Sequence, residues 1–434
     1  PSIILYTPFV ILLKRTLIMA IQILQQPELN IFSQSPIVCS VSESNAETYT
    51  SSSMQFVAEF KYWQGNKNSG SDFPVNYTLQ KFPNPSGSAI FDFSRIATSL
   101  FTTPRAAESS SVYWGDVNFY VQYQTSPSSS FYTGSHQSIS EFAMFDGYQI
   151  FQQGLQISGS SSGEIISSSE FWPLMTDGPT SQSYFEENYG RMSVWRGTQE
   201  STVKRPNALI YSSSMAAEDN NYILNFTQSV VSDEMVATFP ISPNEPDWPL
   251  SSDVNDIGNF EIYAVSGDQN YDGTNRISSI LHFDLECTKK YPNVRIKWKN
   301  RFGQWDYFNF NLVSRQTFNT KRSRYQPQIG TWGSRTLTYN DYDSAIQNYI
   351  TDSTLKLSVN TDYVDEAYNE TFKQLMVSDE IYWVYEEGSD LDNTERLKPL
   401  AIDNQSFNLK TGVVDKLIQY EFTFTQGQGY KLIF

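Results

Sequence analysis

The sequence predicts a mainly β protein: several β-sandwich domains of immunoglobulin-like type, followed by a small α+β C-terminal domain. Three observations predict it. Aromatics make up 15 % of the 434 residues, mostly Tyr and Phe, and such side chains suit pleated, half-buried surfaces. Apolar residues recur with a period of two in segment after segment. Breaks rich in Gly, Pro, Ser and Asn separate those segments, and helical spacing is rare.

Residues 1–19 stand apart. "IILYTPFVILL" is apolar but short, and Pro8 breaks it, so it does not comfortably span a bilayer. Lys14 and Arg15 follow the apolar run, whereas a secretory signal places its charges before it. Met19-Ala20 reads as a natural start. The residues ahead of it are expected to be upstream sequence translated in frame, with a membrane-active tail as the alternative.

A β domain is expected over 20–125. In "QFVAEFKYW" the side chains of Phe56, Ala58, Phe60 and Tyr62 share a face, and in "DVNFYVQYQ" those of Val117, Phe119, Val121 and Tyr123 do. "SRIATSLF" (94–101) suggests a short turn of helix. A longer β-rich region, 126–325, carries Ser-rich loops at 156–170 and 173–190 and the alternating strand "NFEIYAV", with Phe260, Ile262 and Ala264 together. The C-terminal domain, 326–434, holds the best helical pattern, "DYVDEAYNETFKQLMVS". Val364, Tyr368, Phe372, Leu375 and Met376 follow three- and four-residue spacing. Asp362 is the expected N-cap, and Asp365 and Glu366 suit the positive end of the helix dipole. "LIQYEFTFTQ" then returns to strand alternation through Ile418, Tyr420, Phe422 and Phe424.

Thirty Lys and Arg stand against 47 Asp and Glu, a net charge of −17. An acidic surface repels phosphate, so nucleic acid is not an expected partner. The charge is not spread evenly. Lys289, Lys290, Arg295, Lys297, Lys299, Arg301, Arg315, Lys321, Arg322 and Arg324 are opposed only by Asp306, giving 10 − 1 = +9 from 289 to 324 and leaving −26 elsewhere. Within this island Val294, Ile296 and Trp298 alternate with Arg295, Lys297 and Lys299. "NRFGQ" supplies a turn in which Gly303 takes positive φ, and Phe308 and Phe310 alternate with Asn309 and Asn311. The pattern is an amphipathic hairpin with an apolar face inward and a cationic face outward. Arg295, Lys297, Lys299 and Arg301 are therefore candidates for docking onto an acidic neighbouring subunit, against the plainer reading of a solvated face.

"DQNYDG" places Asp268, Asn270 and Asp272 ahead of Gly273, the opening of a Ca²⁺ loop. Its twelfth position is Ser279, where a bidentate Glu is needed. A polar hairpin turn explains the same residues without metal. No other cofactor is implied. Cys39 and Cys287 are too few for a disulfide framework or a zinc quartet and are expected to be buried free thiols. Neither His136 nor His282 lies near a nucleophile motif, and Gly-rich phosphate loops are missing from the sequence. Two carboxylates of a glycosidase could hide among 47 acids. Trp172 and Trp248, in "EFWPLMTDGP" and "PNEPDWPL", could stack on a host glycan or simply pack.

"CTKKYPNVRIKWKNRFGQWDYFNF" resembles a signature of virion structural proteins of tailed bacteriophages, those of marine and gut viruses especially. The residues that carry it are Cys287, Tyr291, Trp298, Asn300, Gly303, Trp305, Asp306, Phe308 and Phe310. Upstream, "YTLQKFPNPSGSAIFDFSRI" resembles the family's N-terminal domain. Downstream, "FKQLMVSDEIYWVYE" and "KLIQYEFTFTQGQGY" resemble its C-terminal domain. The likeness covers most of 20–434 as short motifs in order, and the Ser-rich insertions near 126–260 depart from it. It implies a place in the virion, in tail, baseplate or neck, after synthesis in the bacterial cytoplasm. It also implies other virion proteins and further copies of the chain as partners. The expectation is a non-enzymatic structural subunit with no membrane partner. The alternatives are a receptor- or carbohydrate-binding protein and a polysaccharide hydrolase.

Overall fold

Alternation becomes pleated sheet throughout the chain. The computed structural model describes residues 21–27, 30–43, 54–64, 70–101, 112–124, 129–148, 174–185, 188–195, 208–213, 221–225, 236–243, 245, 247–250, 258–266, 276–286, 290–333, 335–386, 396–427 and 430–433. The N-terminal extension, the Asp268, Asn270 and Asp272 loop, Cys287 and Trp172 all lie outside the described residues. The protein is mainly β, built from two sandwich units and an α+β unit.

The N-terminal sandwich sets a three-stranded sheet (Ile21–Gln25, Val38–Glu43, Ser88–Asp92) against a seven-stranded one. The larger sheet centres on Met54–Trp63 and Tyr113–Tyr123, paired antiparallel from Met54↔Tyr123 to Trp63↔Trp114. The predicted faces meet in its core: Phe56, Ala58, Phe60, Val117, Phe119 and Val121 are fully buried with Phe91 and Phe93. Cys39 is a buried free thiol in the same core, and burial holds its pKa far above the ordinary thiol range. The short helix is present at Ser94–Leu100. "TSPSSS" is no domain boundary, because Tyr132–Thr133, Gln137–Ser138 and Phe142–Phe145 all return to pair with Tyr113–Tyr123. Ser- and Pro-rich stretches mark tight loops within a sheet as readily as linkers.

The central sandwich faces a five-stranded sheet with a two-stranded one, Arg191–Trp195 and Val236–Pro240. Phe260, Ile262 and Ala264 point into its core as predicted. The C-terminal unit is an eight-stranded antiparallel sheet with a ten-residue helix packed on it and a single helical turn at Gly412–Asp415. Its strands include Val294–Lys299, Trp305–Phe310, Arg315–Tyr325, Gln347–Asn360 and Glu421–Gln426. The basic hairpin therefore belongs to this sheet, and a boundary at 325/326 cuts through the pairing of Arg315–Tyr325 with Gln347–Asn360.

The helix spans Tyr368–Val377, and Phe372 and Leu375 are buried against Trp298, Phe422 and Phe424. Asp362 is not its N-cap. Val364 bridges to Ile418 and keeps the chain extended there, so the helix starts later. Ala367 holds the N-cap position without a side-chain cap, and Asp365 closes a local turn ahead of it by accepting the Ala367 N–H at 2.8 Å. No helix among the described residues is long and apolar enough to cross a membrane.

Candidate functional site

The hairpin folds with the predicted turn and the predicted inward face. Register runs from Val294↔Phe310 to Lys299↔Trp305, and Gly303 has φ +69°. Val294, Ile296, Trp298 and Phe310 are buried in the C-terminal core. The other face overturns the expectation. Arg295, Lys297, Lys299 and Arg301 are only 2–6 % exposed, so none of them presents an outward charge. The reason is that the cationic face is covered by the same chain: the strand Arg191–Trp195 of the central sandwich packs beside Trp305–Phe310.

Each cation has its own surroundings. Arg295 donates to the side-chain oxygens of Asn188 at 3.1 Å and Asn309 at 3.0 Å, and to the Tyr189 carbonyl at 2.8 Å. Asn188 Oδ1 also accepts from the Phe185 N–H and from Asn309 Nδ2, so one buried amide oxygen organises three donors. A side chain at Gly190 would come within 2.8 Å of the Arg295 guanidinium, which explains why the chain is bare there. Lys297 lies over Trp305 at 4.8 Å and Tyr307 at 5.5 Å, a cation–π arrangement. Lys299 meets Asp146 at 3.0 Å, Asp379 at 3.2 Å and Glu380 at 3.6 Å. Burial works against its ammonium, but Asp146, then Asp379 and Glu380, outweigh it and hold the pKa above the usual lysine value. Arg301 forks onto both oxygens of Asp177, and Gln374 of the helix donates to the same carboxylate at 2.7 Å.

These partners come from all three units. Asp146 ends the N-terminal sheet, Asp177 and Asn188 enter and cross the central sandwich, and Gln374, Asp379 and Glu380 are C-terminal. The turn closes the junction. Asn300 donates to the Met175 carbonyl at 3.0 Å, Ser193 donates to Gln304 Oε1 at 2.5 Å, and the Tyr148 N–H donates to the Arg301 carbonyl at 2.8 Å. An apolar cluster seals it, combining Phe32, Trp114 and Phe145 with Trp195 and Phe302. Asp306 is buried beside it and accepts from the Thr176 hydroxyl at 2.9 Å. Burial pushes its carboxyl up to about 7; Thr176 and Asn300 pull the other way, and Asp177 adds to the rise.

Of the island's described cations, Lys290 faces solvent ahead of the hairpin, and four more do so on the following strand. Arg315, Lys321, Arg322 and Arg324 are all exposed along Arg315–Tyr325. Trp248 is no free stacking surface: it packs edge-on against Tyr211 at 5.5 Å and Phe260 at 4.8 Å. His282, in the central sheet, sits 2.9 Å from Glu261, and His136, beside the N-terminal sheet, packs at a tilt against Tyr120, so the two histidines belong to different units. Among the described residues no group of three His, Cys, Asp or Glu is arranged to hold a metal ion. Sequence reading missed Asn188, Asp177 and Asp146. One signal was available: parity across the turn places Trp305 and Tyr307 on the cationic face, where cation–π stacking favours a covered strand.

No family model and no curated protein matches the chain. Solved structures match at low similarity. Invasin, a bacterial integrin-binding protein, is 8 % identical at a TM-score of 0.23, over 78 % of this chain and 56 % of that one. Extracellular domains 3–5 of Drosophila OTK are 8 % identical at 0.20, over 77 % and 92 %. The trypsin-activated alpha-2-macroglobulin of Escherichia coli is 8 % identical at 0.21, over 79 % and 19 %. The chain thus spans little more than half of the invasin chain, and scores of this size carry no argument about what it does.

Proposed function

We propose that the protein is a non-enzymatic structural subunit that acts through protein contacts, and specifically a subunit of a tailed-phage virion, in tail, baseplate or neck. The observation that carries this reading is the junction. Buried charge pairs cost more to desolvate than comparable apolar contacts and are retained where one arrangement must be specified. Here Arg295, Lys299 and Arg301 tie three units into one orientation. A fixed spacing between units is what a repeating assembly needs, because symmetric contacts close only when each subunit presents the same geometry. The ordered phage-like motifs run through this junction, from Trp298 and Asn300 to Asp306 and Phe310, which supports the virion assignment. Electron microscopy of particles grown with a labelled copy tests it. The label is expected at a defined site on the particle, and failure of the chain to enter any particle would overturn the reading.

A further inference from the structure

The strand Arg315–Tyr325 is the last in the C-terminal sheet, and its second edge has no strand beside it among the described residues. A long open edge is a template for association. This one is cationic: Arg315, Lys321, Arg322 and Arg324 are exposed, and the strand holds no acid. Register places Asp352 opposite Lys321, whereas Arg322 and Arg324 face Thr351 and Asn348, which are uncharged. Two such edges laid together would bring like charges opposite each other, so this strand does not suit pairing with its own copy.

The complementary surface lies on the same chain. A cleft of about 540 Å³ between the central sandwich and the C-terminal unit is lined by Asp284, Glu286, Asp362 and Asp365 beside Tyr363, and among the described residues no Lys or Arg lines it. The volume is that of a ligand pocket. The strand Arg315–Tyr325, a basic arm of the C-terminal sheet, cannot fill the cleft of its own chain. Asp362 follows Asn360 at the root of the arm, and at about 3.3 Å per residue Arg322, opposite Thr351, is roughly 30 Å away along the strand.

We infer, resting on the assembly reading above, that the basic edge strand of one copy docks in the acidic cleft of a second copy. Arg322 and Arg324 face Asp284 and Asp362 of that copy. Such a contact joins two different surfaces, so it propagates into a ring or a filament rather than closing as a two-fold dimer. It is electrostatic and weakens with salt.

The test is sedimentation velocity of the full chain at low and high ionic strength, with charge-reversed variants. Wild type is expected to associate with rising concentration at low salt and to separate at high salt. R322E/R324E and D284K/D362K, all on the surface, are each expected to lose at least about ten-fold in association constant, with wild-type melting curves. A one-to-one mixture of the two variants is expected to associate again, since each arm then meets a cleft of opposite sign. Wild-type chain that stays monomeric at low salt, an arm variant that associates normally, or a mixture that remains monomeric overturns the inference. Particle incorporation separates the two readings. If wild type and R322E/R324E enter particles equally, only the docking assignment falls; if wild type does not enter, the structural role falls.

Discussion

Gly147 and Gly303 face each other across the boundary between the N-terminal sandwich and the C-terminal sheet. Both hold positive φ, +118° and +69°. A Cβ on Gly303 would stand 2.6 Å from the Asp146 carbonyl oxygen, and one on Gly147 would strike the carbonyl of Arg301. The two loops meet backbone to backbone, which only glycine permits on both sides. Gly303→Ala and Gly147→Ala are each expected to cost about 2–4 kcal/mol from backbone strain and overpacking together. Because they disturb one contact, the double variant is expected to fall short of the sum by at least about 0.5 kcal/mol. Urea midpoints followed by Trp fluorescence check this, and strict additivity would mean the loops are not coupled.

Arg301 and Asp177 offer a sharper test of the junction. Both are almost fully buried, and the guanidinium spans both carboxylate oxygens. Arg301→Ala leaves a buried carboxylate with only the Gln374 amide to satisfy it. The expected loss is about 3–5 kcal/mol. R301M/D177L removes both charges and is expected to recover most of that loss. If the double variant melts no higher than Arg301→Ala, the pair is not acting as an ion pair.

Much of the fold was legible because alternation reports which face is buried, and that is local information. Phe56 to Phe60, Val117 to Val121 and Phe260 to Ala264 declare their faces within a few residues. Trp298 and Gly303 were legible for the same reason. What covers the second face is not local. Asn188 lies 107 positions from Arg295, and Asp177 lies 124 from Arg301. Alternating Lys and Arg look identical in sequence whether water or a second domain lies over them, so the cationic face was read as outward. The charge asymmetry was real, but its exposed part sits chiefly on Arg315–Tyr325, with Lys290 ahead of the hairpin. Domain limits failed similarly, because turn chemistry is the same inside a sheet and between sheets.

Trp298 and Lys297 occupy opposite faces of one strand and are both buried. Trp298→Ala is expected to lose about 3–5 kcal/mol, as for a large aromatic removed from a core. Lys297→Glu is also expected to destabilise, by about 3 kcal/mol or more, since it buries an anion against the faces of Trp305 and Tyr307. A solvated or assembly-facing Lys297 would tolerate the change. Thermal melts of the two variants decide between these positions, and an unchanged melt for Lys297→Glu would restore the outward reading.

Asp306 makes the junction sensitive to pH, and the sign follows from the direction of its shift. Its folded pKa is raised, to about 7 from 3.8, chiefly by burial. Between those values the folded chain holds a proton that the unfolded chain has released, so the folded state is favoured on the acid side. Stability is therefore expected to fall as pH rises toward 7, with a slope approaching about 1.4 kcal/mol per pH unit between the two pKa values and levelling off above the upper one. Asp116 is also raised, chiefly by burial, and acts with the same sign, so only the part of the slope that Asp306→Asn removes belongs to Asp306. Asp247 and Asp403 have lowered pKa values, held down by Arg191 and Lys356 against burial, and their contribution is lost only in acid. Lys299 is raised, so its contribution is lost only above the ordinary lysine range. Asp306→Asn keeps the acceptor for Thr176 and cannot ionise. Urea unfolding at pH 5, 6, 7 and 8 is expected to show the slope in the wild type and its loss in Asp306→Asn. Parallel profiles for the two proteins would mean that Asp306 does not titrate in this range.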